Sequence, residues 1–265
     1  MNRLRAGSIV AMATGCIVAH AFAASTLFVG VGGTNTSVTA GTANAAMSAF
    51  QAAIGGANNG SGTGIFANGF RAVNWDAVPD AHAQPNLLPA DFASPRGVML
   101  ITPGSGVAVS ANAASGTAVN FGNINAAYTG NFVAFSPVRL FSPIDSNIVQ
   151  IYFYVSGTTT PAMVRGFGAI FNDVEVANTT SIRYFGFDGS DLGTFFASIG
   201  SSGKPEFLGA LFAPGDQPIG HVVITLGNAA LGASSNESAF TDLVVMDDIT
   251  YAEPRADDIF SDGFE

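Results

Sequence analysis

From Phe66 to Tyr251 the apolar residues of this 265-residue chain recur at every second position in short runs, and that period constrains its fold more than any other feature. Successive side chains of a strand point to opposite faces, so a period of two buries one face and leaves the other to solvent or to a covering layer. The runs are Arg71–Trp75, Val98–Thr102, Val107–Ala111, Val138–Phe141, Ile148–Val155, Met163–Asn172, Ser181–Phe187, Leu192–Ser198, Glu206–Phe212, His221–Leu226 and Leu243–Tyr251. They are rich in Val, Ile, Phe, Tyr and Thr, and Gly, Pro, Asn or Asp separate them. Phe187-Asp188-Gly189-Ser190-Asp191-Leu192 has the composition of a hairpin turn. Most of the connections are too short for parallel crossovers, which need about a dozen residues or more. The reading is an all-β fold, an antiparallel two-sheet β-sandwich of jelly-roll type.

Ahead of the strands lies a different kind of segment. Met1–Arg5 carries two arginines, Ala6–Phe22 is apolar without an acid, and Ala21-Phe22-Ala23 is a small-x-small cleavage site. This pattern predicts a signal peptide over residues 1–23 and a secreted protein, extracellular or at the cell surface. Thr14, Gly15 and His20 interrupt the apolar run, and no later run approaches about 18 consecutive apolar residues, so no membrane span is expected. Ala13-Thr14-Gly15-Cys16 lacks the leading leucine of a lipoprotein box and precedes a better cleavage site, which argues against acylation of Cys16. Cys16 is the only cysteine, so cleavage after Ala23 excludes disulfides, thiolate catalysis and Cys-based zinc sites together. Residues 24–64 read as a leading segment: a strand at Thr26–Val31, a loop, a helix over residues 43–54 and a turn-rich link. Met47, Phe50 and Ile54 set the helical spacing, and Gly55-Gly56 stands where a helix ends. Residues 65–253 form the sandwich, and residues 254–265 an acidic tail.

Charge narrows the partners. The net charge is −10; without Arg3 and Arg5, seven basic face 19 acidic side chains, a net charge of −12. That field repels a phosphate backbone, which argues against nucleic acid and leaves a cation or a neutral glycan. Beyond the leader, only His82 and His221 could serve as imidazole ligands, too few for a transition-metal site. Calcium takes oxygen ligands, and Asp76, Asp80 and Asp247 are the acids that could supply them. The alternative is that these acids cap turns in solvent. Strand alternation sends Asp247 and Asp248 to opposite faces.

For carbohydrate, Asn74, Trp75 and Asp76 combine the one tryptophan with an amide and a carboxylate. The indole serves either as a sugar platform or as a core plug. A glycosidase needs two carboxylates roughly 5–10 Å apart, and Asp173 and Glu175 share a strand end. No nucleophile elbow, P-loop, zinc-protease or EF-hand pattern occurs. The expected function is a non-catalytic extracellular domain that binds carbohydrate or a surface polymer through loops at one end of the sandwich. A structural or adhesive surface component and a polysaccharide-acting hydrolase are the alternatives.

Several stretches carry a resemblance: Asn74-Trp75-Asp76-Ala77-Val78-Pro79-Asp80, Ser94-Pro95-Arg96-Gly97-Val98, Phe135-Ser136-Pro137-Val138-Arg139-Leu140-Phe141-Ser142-Pro143, Gly166-Phe167-Gly168-Ala169-Ile170-Phe171-Asn172-Asp173-Val174 and Val244-Val245-Met246-Asp247-Asp248-Ile249-Thr250-Tyr251. The chain resembles, over residues 43–253, a group of uncharacterised secreted bacterial β-sandwich proteins. Their later half is similar to the jelly-roll ectodomains of exported proteins with sorting tails. The resemblance implies an extracellular sandwich and no established activity, so it assigns no catalytic residue. Ile259–Glu265 resembles the short acidic aromatic C-termini of some secreted proteobacterial proteins. Mass spectrometry of the exported protein is expected to find Ala24 as its first residue; recovery of only an uncleaved chain would overturn the leader assignment.

Overall fold

The alternating runs become 13 strands in a computed structural model that describes residues 25–83, 87–89, 91–213 and 218–256. The predicted leader, with Cys16, and the tail beyond residue 256 lie outside the described residues. Strand pairing is antiparallel throughout both sheets. The first sheet runs in the order β1 (Ser25–Val31), β11 (Pro205–Phe212), β8 (Gly166–Asn172), β13 (Val245–Ala252), β6 (Phe141–Ile144) and β5 (Gly106–Val109), with β2 (Phe70–Val73) also paired to β13. The second runs β10 (Asp191–Phe196), β9 (Ser181–Gly186), β12 (Ile219–Thr225), β7 (Ile148–Phe153), β4 (Val98–Ile101) and β3 (Asp91–Phe92). The fold is the two-sheet sandwich that the alternation predicts.

Ring contacts show which faces meet. Phe167 of β8 lies 6.0 Å from Phe153 of β7, and Phe212 of β11 lies 6.1 Å from Tyr184 of β9, so these side chains fill the space between the sheets. The opposite face of β8 and β11 is covered by helix α1 (Ala43–Ile54). Thr42 caps it by accepting the Ala45 N–H at 3.4 Å, and Gly55 ends it at φ 79°. Phe50 seals the contact, 5.7 Å from Phe207 and 5.5 Å from Phe28. Burying such a side chain contributes about 1.5–3 kcal/mol. Gly168 lets Phe207 lie flat on the sheet, since a Cβ there would meet the ring at 2.6 Å.

A second apolar cluster covers the other end of the same sheet. Phe121, Tyr128 and Phe132, from the connection between β5 and β6, pack with Leu231 and Leu243 on Ala108, Leu140, Ile144 and Val245. The sequence assigns no element to residues 112–137 of this connection, because their apolar residues follow neither period. The first sheet is therefore covered on both faces. The second turns Arg183, Gln150, Tyr152 and His221 outward.

Two boundaries differ from those the sequence predicts. The leading segment is not separate from the sandwich: β1 is its edge strand and α1 its cover. The run Val138–Phe141 is not a strand, and β6 begins at Phe141. The Val138 and Arg139 N–H groups bond to the Asp76 carboxylate instead of to a neighbouring strand. Among the described residues no helix is long and apolar enough to cross a membrane.

One buried ion pair ties β2 to the residue after β13 and, through the guanidinium, to the turn before β2. Arg71, with 0% exposure, donates Nη2 and Nε to Glu253 at 2.7 and 2.9 Å, and Nη1 to the carbonyls of Gly60 and Gly62. Removing one partner of such a pair strands the other charge. Glu253→Ala is expected to lower the unfolding free energy by about 3–5 kcal/mol, read from the urea midpoint at unchanged m. A loss under about 1 kcal/mol would show that the carbonyls alone carry the guanidinium.

Candidate functional site

The residues singled out by the sequence converge, but on protein groups. Trp75, only 2% exposed, stacks on Phe141 at 4.3 Å and donates its indole N–H to the Asp247 carbonyl at 2.7 Å. Of the two roles open to this indole, the structure rejects the sugar platform and assigns the core plug: neither ring face is open to a ligand. Asn74 donates its amide to Asp76 Oδ2 at 2.8 Å, and Asp76 Oδ1 accepts the Val138 and Arg139 N–H groups at 2.7 and 3.3 Å. Asp80 is ion-paired with Arg139 and accepts the Asn112 N–H at 3.3 Å. Asp247, fully buried, accepts the Phe135 N–H at 2.6 Å and the Ser136 hydroxyl at 3.0 Å.

Asp248 lies 2.7 Å from the same Ser136 hydroxyl, contrary to the alternation that sends the two acids apart. The cause is a β-bulge. Pairing steps from Met246↔Phe171 to Ile249↔Ala169, three residues against two, so both acids turn to one side. One hydroxyl proton serves two carboxyls. Burial and Asp248's charge raise the Asp247 carboxyl well above the usual range, and burial raises Asp248. Burial also raises Asp76, whereas hydrogen bonding from Ser115 and the Arg139 guanidinium help lower Asp80. The calcium set Asp76, Asp80 and Asp247 does not form one oxygen cage: each carboxylate braces the stretch 135–139. Among the described residues no three His, Cys, Asp or Glu side chains gather as metal ligands.

The pair Asp173 and Glu175 is not a catalytic dyad. Asp173, in the left-handed region at φ 77°, is fully buried and accepts the Gly203 N–H at 2.5 Å. Its companion is Glu206, which the Phe171↔Glu206 register sets on the same inner face. Glu206 also has 0% exposure, and one oxygen of each acid lies buried without a hydrogen-bond partner. Burial pushes Asp173 up to about 6 and Glu206 up to about 9, and it pushes Glu237, near the same end, up to about 8. Both inner acids are sealed from any substrate.

On the outer face of the second sheet, one cross-strand row joins Phe185, His221 and Tyr152. His221 stacks between the other two at 4.6 and 4.8 Å, about the strand spacing, and Arg183 covers Phe185 at 4.7 Å. Burial lowers the His221 pKa. The rings spend their faces on one another and turn edges outward, so the row makes a poor stacking surface for sugar. A groove of about 230 Å³ beside it is lined by Tyr154, Pro161 and Phe187.

A larger cleft, about 460 Å³, opens where loops meet at one end of the sandwich. Its floor is apolar: Leu87, Ile124 and Ile144. Leu87 settles there because Gly106, at φ 144°, has no Cβ; one would lie 2.4 Å from Leu87 Cδ1. Ser105, Asn123 and Asp145 supply a hydroxyl, an amide and a carboxylate at the rim. Asp145, exposed and left-handed at φ 60°, donates its N–H to the Leu231 carbonyl and accepts the Ser105 hydroxyl. Asp tolerates this region better than most residues, so the turn holds it there at modest cost. The far wall, Gly232 and Ala233, is pinned from below by Tyr128. Its hydroxyl lies 2.7 Å from the Gly232 carbonyl and 2.9 Å from the Ser235 carbonyl. Sequence reasoning missed these residues because each sits in a separate turn.

No known protein family matches the chain, and no curated protein or solved structure matches it significantly.

The sealed acids set a pH dependence. Their folded pKa values exceed the unfolded ones, so the folded chain holds more protons, and stability falls as pH rises from about 4 through the folded values of about 6 to 9. The thermal midpoint is expected to be higher near pH 5 than near pH 9, and Glu206→Gln to flatten the alkaline part of that slope. A midpoint that stays level across this range in the unaltered protein would contradict the assignment.

Proposed function

We propose that this chain is an extracellular, non-catalytic β-sandwich that binds a neutral carbohydrate unit in the loop-end cleft of Ser105, Asn123 and Asp145. The observation that carries the reading is the convergence of a hydroxyl, an amide and a carboxylate over an apolar floor, in a cleft of about 460 Å³. Ligand pockets of roughly 300–1,000 Å³ with a few converging polar groups are the usual form of small-molecule sites. A sugar ring presents both surfaces that such a cleft meets. Its hydroxyls exchange hydrogen bonds with a carboxylate and an amide, and its C–H face lies on aliphatic side chains.

Charge selects among sugars. With a net charge of −10 and Asp145 at the rim, a polyanionic chain is repelled. Binding rather than cleavage follows from the carboxylate count: a glycosidase needs two, and the described lining holds one, Asp145. The Ser105 hydroxyl donates to that carboxylate and has no imidazole among the described lining residues to activate it. The export signal read over residues 1–23 supports a site of action outside the cytoplasm.

A glycan array followed by calorimetry on the best-bound neutral oligosaccharide is the test. Asp145→Asn keeps a residue that tolerates the left-handed backbone, and Asn123→Ala removes the amide. Each is expected to weaken binding about tenfold, which corresponds to about 1.4 kcal/mol. Retention of no glycan, or affinity untouched by both substitutions, would remove the cleft as the site.

A further inference from the structure

Two open sheets, with β2 as a side branch on β13, leave five edge strands, and exposed edges pair with other chains unless something blunts them. Four of the five are blunted here. β2 is four residues long, and its Phe70 N–H and carbonyl pair with Ala57 and Asn59. On β5, the Leu88 N–H donates to the Val107 carbonyl at 2.7 Å. On β10, the register breaks between Asp191 and Gly193, and Asp191 is ion-paired with Arg183. β3 is two residues long.

The fifth edge, β1, carries none of these devices. Its seven residues, Ser-Thr-Leu-Phe-Val-Gly-Val, include no charge and no proline. Its ladder to β11 continues through the Gly32 N–H to the Pro205 carbonyl, while the Val31 N–H turns the other way, to Gly41. Alternation then directs the main-chain groups of Ser25, Leu27 and Val29 outward. Among the described residues no backbone group pairs with them. Leu27 and Val29 are also 45% and 48% exposed, although both lie on an apolar strand. The strand is held rigidly for such a role, since Phe28 packs on Phe50 of α1.

We propose that β1 is an assembly edge that pairs antiparallel with β1 of a second copy of this chain. The strand is self-complementary. With a two-fold axis at Phe28, Leu27 faces Val29 of the second copy in a hydrogen-bonded pair, and the symmetry repeats the pair. The four side chains form one apolar row, and the two seven-stranded sheets become a single continuous sheet. A partner of other chemistry fits less well. The edge carries no charge to select one, and although the net charge of −10 opposes self-association, an uncharged strip is where two copies repel each other least. A single strand pair falls short of the roughly 800 Å² per partner of stable complexes, so the dimer is weak and depends on concentration.

The test uses the exported protein as recovered from its host. Sedimentation velocity across the micromolar range is expected to show mass rising toward twice that of the monomer. Amide exchange at Leu27 and Val29 should slow over the same range. Val29→Lys, at an exposed position, is expected to stay monomeric with an unchanged thermal midpoint. A chain that is monomeric throughout the range overturns the proposal. So does a dimer that survives Val29→Lys, or one in which the Leu27 and Val29 amides exchange as fast as in the monomer.

Discussion

Carboxylates set against backbone N–H groups hold a part of this sandwich that strand pairing does not. The stretch 135–139 leads from the second apolar cluster into β6, and its own N–H groups have no ladder. Asp247 takes the Phe135 N–H, Asp76 takes those of Val138 and Arg139, and Asp80 holds the Arg139 side chain. A buried N–H without a partner costs about 1–3 kcal/mol, so the Phe135 bond to Asp247, the buried one of the three, matters most. The position of Trp75 follows from the same residue, because the Asp247 carbonyl accepts the indole N–H and fixes the ring over Phe141. Strand ladders build both sheets, and these acids join their covered face to the layer of loops around it.

The fold was legible where burial followed a period. Met47, Phe50 and Ile54 mark a helix that spans Ala43–Ile54, and alternation marks the strands of the second sheet because its outer face meets water. Legibility fails where both faces are covered. All seven residues of β8 and all eight of β11 are buried, so alternation there says nothing about which side meets the helix. It fails again at the bulge, where one extra residue reverses every later side chain and brings Asp248 beside Asp247. Glu206 heads a strand, which reads as a solvent-facing end until the loop over residues 199–203 closes on it.

The candidate site was the least legible part. Asn74, Trp75 and Asp76 stand together in sequence and attract notice, yet their chemistry is spent on Phe141, Val138 and Arg139. Ser105, Asn123 and Asp145 each sit in a turn, where small polar residues are expected for conformational reasons alone. Only the close return of β5 along β6 brings Ser105 to Asp145, and only the second apolar cluster carries Asn123 to the same rim. Convergence of this kind has no period, so no pattern in one dimension announces it.

The bulge in β13 has a consequence for lineage. Its extra residue sets where Asp247 points, and the strand beyond it must still reach Glu253 in register with Arg71. One inserted or deleted residue between 243 and 252 would turn the indole anchor and the guanidinium anchor to the wrong side together. The mostly exposed loop over residues 33–40 carries no such double constraint. In descendants of this chain, length changes are expected to collect in that loop and to spare the last strand.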